Sequence, residues 1–195
     1  MKKIGIYGGS FDPIHHAHLI LARETCETLA LAEVIFVLAA RSPHKTDEPV
    51  TSAGIRWEML QVAIAGEPAF SASRLEIDRP PPSYSVETVE ALHALYPRAE
   101  LFFLLGEDNL PKLREWHRFD DLRRLVQFVV LDRSGGPAEY PYLTVRRKID
   151  ISATTIRDRV ASGRSIRYLV PEAVEEIIRR EELYKKGTAR SNPKS

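Results

Sequence analysis

The sequence predicts an α/β fold, with a mainly parallel sheet flanked by helices and a small helical C-terminal end. Two observations predict it. Residues 4–7, 34–38, 101–105 and 128–131 are short, almost unbroken apolar runs. Such runs suit strands covered on both faces, which lose the alternation of half-exposed ones. Between several of these runs lie segments whose apolar residues recur at helical spacing, joined by short connections. No repeat at solenoid periods is present.

The elements follow in order. Residues 4–7 form a strand ending in Gly8-Gly9. Residues 16–30 are helical, with Leu19, Ala22, Cys26 and Leu29 in register. Residues 34–38 are the second strand. Residues 53–64 are helical, with Ile55, Met59, Leu60 and Ala63 on one face. Residues 70–77 fit a strand, and Pro80-Pro81-Pro82 forces an extended loop. Ser85 is placed to cap a helix running to about residue 95. Strands at 101–105 and 128–131 precede a turn at Gly135-Gly136-Pro137, and 143–149 reads as a last, more polar strand. Ser152 opens a helix to about residue 162, and Gly163 stands where a helix-ending glycine belongs. Pro171 starts the final helix at its first turn, with an end near residue 183. Residues 1–186 are expected to form a single domain, with 150–186 its helical C-terminal part and 187–195 a flexible polar tail.

Composition excludes several classes. With 195 residues and 44% hydrophobic content, the chain has material for a core and is not a disordered one. Lys plus Arg number 28 and Asp plus Glu 27, which argues against binding a nucleic-acid polymer. Cys26 is the only cysteine, so an intrachain disulfide and a multi-cysteine metal site are ruled out; it is expected to be a small buried hydrophobe. The apolar stretch after Met1-Lys2-Lys3 is too short for a signal peptide, and no run is long enough to span a membrane. The expected location is the cytoplasm. The oligomeric state is open, a homo-oligomer included.

Gly8-Gly9-Ser10-Phe11-Asp12-Pro13-Ile14-His15-His16-Ala17-His18 runs from the C-terminal end of the first strand into the first helix. Ligands of open α/β sheets bind at that edge. Glycines let backbone approach a phosphate, and a helix N-terminus offers free N–H groups and partial positive charge. His15 and His18 are three apart and share the first turn, so both can point at one anion. The dinucleotide G-x-G-x-x-G and the P-loop are both absent, and the histidine pair lacks a third protein ligand for zinc at a recognisable spacing. Taken alone, the same residues also suit a plain turn with histidines sitting on it.

This run resembles the G-T/S-F-D-x-x-H-x-G-H signature of the nucleotidyltransferase superfamily, with Ala17 where glycine is usual. Ile151-Ser152-Ala153-Thr154-Thr155-Ile156-Arg157 resembles the superfamily's I-S-x-x-x-I-R motif. Physically it is a capped helix start with a guanidinium fork suited to phosphate oxygens; standing alone it would be an N-cap with a surface arginine. Pro43-His44-Lys45, Arg56 with Met59-Leu60, Ser83-Tyr84-Ser85, Gly106-Glu107-Asp108 and Trp116 together resemble the bacterial nicotinate-nucleotide adenylyltransferase family over roughly residues 3–184, in order.

The resemblance implies a Rossmann-like nucleotidyltransferase fold and adenylyl transfer from ATP to nicotinic acid mononucleotide in NAD biosynthesis, with Mg2+ carried on the ATP phosphates and no metal site of the protein's own. It implies His15, His18, Lys45 and Arg157 as catalytic residues. ATP would be held by Gly8, Gly9, Ser10, Phe11, His15, His18, Gly106, Asp108, Ile151, Ser152 and Arg157. The mononucleotide would be held by His44, Lys45, Ser83, Tyr84, Ser85 and Trp116. Each has an ordinary alternative: Lys45 a solvated lysine, Asp108 a helix N-cap, Trp116 a partly buried core residue. Asp12 is left between ordering the loop and assisting a metal, and His117 stands where a second aromatic is frequent. The nearest rival is phosphopantetheine adenylyltransferase, which shares both end motifs but lacks the P-H-K and tryptophan segments. A non-catalytic adenine-nucleotide sensor on the same fold is the rival of another class, and retention of both histidines and the arginine speaks against it.

Overall fold

The computed structural model describes residues 1–40, 51–80 and 82–185. Six strands form one sheet: β1 Lys3–Gly9, β2 Glu33–Leu38, β3 Phe70–Ser73, β4 Glu100–Gly106, β5 Gln127–Asp132 and β6 Leu143–Arg146. Their order is β3-β2-β1-β4-β5-β6, and every pairing is parallel. The helices are α1 His16–Leu29, α2 Ala53–Ile64, α3 Ser85–Leu95, α4 Phe119–Leu125, α5 Ala153–Ala161 and α6 Glu172–Arg180, with a 3-10 helix at Glu107–Glu115.

Burial on both faces explains the unbroken apolar strands. Val34, Phe36 and Leu38 of β2 face a cluster built with Leu21 and Ala22 of α1, Met59 and Leu60 of α2, and Ile156, Val174 and Ile177 of α5 and α6. Ile35 and Val37 face the opposite cluster, with Val86 and Val89 of α3, Leu113 and Leu122. Strand β4 divides in the same way: Phe102 and Leu104 go to the first cluster, Leu101, Phe103 and Leu105 to the second. Cys26 is buried in the first, the small apolar role expected of it.

Several boundaries differ from the sequence reading. β3 stops at Ser73 instead of residue 77, because the Asp78 N–H turns back to the Arg74 carbonyl and the Leu75 N–H to Ser73 Oγ. β6 ends at Arg146, three residues early. Ser85 is the first residue of α3 and not its cap; Tyr84 holds the cap position and makes no side-chain cap bond. Pro171 is the cap of α6 and lies just outside it, and α6 ends at Arg180 instead of near residue 183. The 3-10 helix and α4 were not foreseen. Pro111 interrupts the first, and the second has seven residues, too few to display a helical period. The expected tail at 187–195 lies outside the described residues.

The sheet edge is tied together by Arg56, a residue of α2 that is 2% exposed. Its guanidinium donates to four main-chain carbonyls. Nη1 bonds Ser10 at 2.7 Å and Ala39 at 2.8 Å, Nε bonds Thr51 at 3.0 Å, and Nη2 bonds Ala40 at 3.4 Å. One side chain thus joins the loop after β1, the exit of β2 and the residue before the cap of α2. A lysine ammonium is a compact donor and cannot span these acceptors. Arg56→Lys should therefore leave buried carbonyls unpaired and lower folding stability by roughly 2–4 kcal/mol. Urea denaturation of both proteins measures this; a loss below about 0.5 kcal/mol would contradict the account.

Candidate active site

The crossover after β1 places α1 over one sheet face, and α3, which leads into β4, covers the other. Strands β1 and β4 are neighbours, so the connections part between them and leave a crevice at their C-terminal ends. That is where open α/β sheets bind ligands.

The crevice is lined from below by Gly8, Gly9 and Ser10 of the β1 exit and by Gly106 and Asn109 beyond β4. One wall comes from the start of α3 and the chain before it: Glu76, Ser83, Tyr84, Ser85 and Thr88. Trp116 and His117 complete it. Tyr84 and His117 stack with ring centres 4.2 Å apart, and Trp116 meets Phe103 edge-to-face at 5.8 Å. The start of α3 carries N–H groups with no acceptor one turn earlier, and no side chain caps them. Gly9 is required by its neighbour, since a Cβ there would sit 2.9 Å from the Phe11 ring.

His15 and His18 stand at the head of α1. Their rings stack face to face, with centres 3.6 Å apart and planes 18° from parallel. The His15 main-chain N–H donates to His18 Nδ1 at 3.3 Å. That bond assigns the proton of a neutral His18 to Nε2. Phe11, at 5.1 Å, and Tyr7, at 5.9 Å, hold the His18 ring edge-on. His15 is 1% exposed. Burial, then the charges of Arg133 and His16, push its pKa down to about 3, so it is neutral at ordinary pH. Its Nδ1 is buried and has no hydrogen-bond partner among the described residues. His16 points into a separate depression beside Arg167 and Tyr168.

Arg157 reaches the same loop from α5. Its Nη1 donates to the Asp12 carbonyl at 2.9 Å and its Nη2 to Thr154 Oγ1 at 3.3 Å. Ser152 caps α5: its Oγ accepts from the Thr155 N–H at 3.1 Å. Asp12 is 4% exposed. Its Oδ1 accepts from the Tyr184 hydroxyl at 2.6 Å and its Oδ2 from the Thr51 N–H at 3.3 Å. The carboxylate therefore orders the loop, the first of the two roles left open for it.

The structure gathers Gly8, Gly9, Ser10, Ser83, Tyr84, Ser85, Gly106 and Trp116 around one crevice; His15 and His18 stand at the head of α1, after the loop that leaves β1, and Arg157 is tied to that loop. It does not bring every candidate there. Phe11 is a core side chain under the loop, so only its backbone can serve the site. Asp108 is exposed on the 3-10 helix; its carboxylate folds back against Gly106 and accepts from Asn109 Nδ2 at 3.1 Å, and Asn109 lines the crevice beside it. Ile151 packs against the core. His44 and Lys45 lie outside the described residues. Sequence reasoning missed Glu76, Thr88, Asn109 and Arg133. None belongs to a spaced motif; only tertiary structure brings them to this edge. Among the described residues no three His, Cys, Asp or Glu side chains are grouped to hold a metal ion, and no helix is long and apolar enough to cross a membrane.

Residues 6–159 match the cytidylyltransferase-like family model. The chain is 42% identical to a probable nicotinate-nucleotide adenylyltransferase of Geobacillus thermodenitrificans, over 94% of this chain and 87% of that one. It is 44% identical to the Thermus thermophilus protein of the same name, over 94% of this chain and 100% of that one. Among solved structures, the Plasmodium falciparum nicotinic acid mononucleotide adenylyltransferase complexed with NaAD superposes with a TM-score of 0.79 at 20% identity, covering 94% and 98% of the two chains. At that identity the superposition speaks for the Rossmann-like nucleotidyltransferase fold.

Glu76 makes the crevice wall sensitive to pH. Burial pushes its carboxyl up to about 7 against the Thr88 hydroxyl, which donates to it at 2.9 Å, and the charge of Arg79; Glu87 reinforces the rise. In the unfolded chain the group titrates near 4.5. Between those values the folded state holds the extra proton, so this group's contribution to stability falls as pH rises and levels off above about 7. Glu76→Gln keeps the acceptor for Thr88 and removes the titration. Its stability relative to wild type should rise by about 2 kcal/mol from pH 5 to pH 8, measured by urea denaturation at both. A pH-independent difference would mean that Glu76 is ionised throughout.

Proposed function

The chain belongs to the nicotinate-nucleotide adenylyltransferase family, and from that premise we propose how its residues divide the work of joining ATP to nicotinic acid mononucleotide. The reaction yields nicotinic acid adenine dinucleotide and pyrophosphate, a step of NAD biosynthesis. A 5′-phosphate oxygen of the acceptor attacks the α-phosphorus of ATP in line, and the bond from that phosphorus to the bridging oxygen of pyrophosphate breaks. The attacking phosphate is already an anion near neutral pH, so no strong base is required. The site has to align two anions and stabilise charge on the transferring group and the leaving oxygen.

The observation that carries the assignment is the paired ring geometry at the head of α1. His18 Nδ1 accepts from the His15 N–H, and the Nε2–H is assigned as a donor to the α-phosphate. The start of α1 adds its N–H groups to the same region. Arg157, through its guanidinium, holds the β- and γ-phosphates, and Ser152 fixes the helix start that delivers it. Gly8, Gly9 and Ser10 let backbone come close to the nucleotide, and Asn109 with the backbone at Gly106 flanks it. Magnesium enters as the magnesium–ATP complex. Lys45 is assigned to the transferring phosphate, and His44 to the acceptor, by the family pattern alone. A cytoplasmic location belongs to this proposal, as does a single domain over residues 1–186.

The acceptor end is the wall at Ser83, Tyr84 and Ser85. The Ser83 hydroxyl is turned inward, donating to the Glu76 carbonyl at 3.2 Å, so the free groups there are the leading N–H donors of α3. These, with the positive end of the helix dipole, suit the carboxylate of nicotinate. Trp116 supplies aromatic surface to either pyridine ring.

Incubating the full chain with magnesium–ATP and each candidate acceptor, and measuring pyrophosphate, tests the reading. His18→Ala should lower turnover by about a hundredfold, the scale of losing a donor to developing charge, with its circular dichroism unchanged. His16→Ala should be near normal. Full turnover in the His18 variant removes that residue from the mechanism. Nicotinic acid mononucleotide should exceed nicotinamide mononucleotide at least about a hundredfold in kcat/KM, because the amide presents donors to donors and lacks the charge. Equal efficiency would sink the assignment of the α3 start as a carboxylate site.

A further inference from the structure

The C-terminal end carries a hydroxyl that the reaction as described does not use. After α6, Tyr184 turns back into the molecule with a left-handed backbone, φ 61°, and its ring packs against the core cluster of α1 and α2. Its hydroxyl donates to Asp12 Oδ1 at 2.6 Å and accepts from Thr51 Oγ1 at 3.2 Å. The Thr51 N–H holds the other Asp12 oxygen. The Asp12 main-chain carbonyl is in turn the acceptor that orients Arg157. Three separated parts of the chain meet here: the loop after β1, the entry to α2 and the C-terminal end.

We propose that Tyr184 is a positioning residue for Arg157: by fixing the Asp12 carboxylate it holds the Asp12 peptide where its carbonyl aims the guanidinium at the leaving pyrophosphate. The proposal rests on the assignment of Arg157 to that group. The Tyr184 phenol remains a donor in the folded protein, since burial and the Asp12 carboxylate both hold its proton in place. Phenylalanine at this position keeps the ring and its packing and removes the hydroxyl, and with it the bond to Asp12 and the one accepted from Thr51 Oγ1. The peptide at Asp12 then gains freedom, and Arg157 loses its fixed aim without losing its charge. The effect belongs to the ATP side of the reaction and not to the acceptor wall, which lies against α3.

The test is a kinetic cycle on the full chain with wild type, Tyr184→Phe, Arg157→Ala and the double variant, using magnesium–ATP and nicotinic acid mononucleotide. Tyr184→Phe should lower kcat/KM for ATP roughly tenfold, the scale of one hydrogen bond to a charged group, with the acceptor KM unchanged. In the Arg157→Ala background the same substitution should change neither constant. A purely structural tyrosine would lower thermal stability and leave the kinetic constants alone, and that result overturns the proposal. So does a double variant whose losses multiply, since the two residues would then act independently. If Arg157→Ala itself retains full activity, the clamp assignment fails first and the proposal falls with it. An impaired Arg157→Ala beside an unaffected Tyr184→Phe refutes the positioning role alone.

Discussion

The site depends on one buried cation. Arg56 enters the interior with no carboxylate at hydrogen-bond distance among the described residues and directs four of its five N–H donors to main-chain carbonyls of Ser10, Ala39, Ala40 and Thr51. A buried charge is costly unless its hydrogen bonds are satisfied. The carbonyls must therefore converge, and convergence is what the site needs. Ser10 belongs to the loop after β1, Ala39 and Ala40 to the exit of β2, and Thr51 to the approach to α2. The bare ends of strands become one ordered edge because one guanidinium requires acceptors from all of them.

Upon that edge the loop after β1 is fixed in layers. Phe11 goes down into the core against Tyr7 and Phe36, which sets the path of the backbone above it. Asp12 is held from the side by Thr51 and Tyr184. Only then does the chain enter α1, with His15 capping it and His18 one turn in. A ring nitrogen held at one end by main chain and along its edges by aromatic side chains has little freedom left. That is the preorganisation an electrostatic site requires, because donors already aimed at developing charge need no reorientation during the reaction.

The sheet was legible because burial on both faces leaves a signal within each strand: β1, β2, β4 and β5 are unbroken apolar runs. The two end motifs were legible because chemistry there needs neighbours along the chain, glycines before a helix start or a capped turn before Arg157. What failed to show was everything assembled across the fold. Glu76 is an isolated acid in a polar stretch, and only packing against Thr88 brings it to the crevice. Asp108 follows an apolar strand and could be placed at its end, but the 3-10 helix that begins there and brings Asn109 to the crevice beside it could not. Pro111 hid that helix by breaking its period. Arg56 could be matched to a pattern, but nothing in its neighbours revealed that it would be buried.

The remaining question is how Arg157 and Arg133 can stand near one edge without an ion pair among the described residues. Arg157 donates to a carbonyl and a hydroxyl, both neutral. Arg133, close enough to lower the pKa of His15, forms no ion pair among the described residues. Its neighbour Asp132 is occupied by Arg146 at 3.0 Å and by the turn at Ser134. The Asp132 carboxylate is thus spent on Arg146 and the turn. A protein carboxylate on either arginine would have to be displaced by substrate phosphate, and the exchange would return little net attraction. Neutral acceptors orient a guanidinium while leaving its charge uncompensated. Burial keeps His15 neutral, so it adds hydrogen-bond capacity without adding to the repulsion among the arginines. Two guanidinium groups oriented by neutral acceptors suit a polyphosphate ligand.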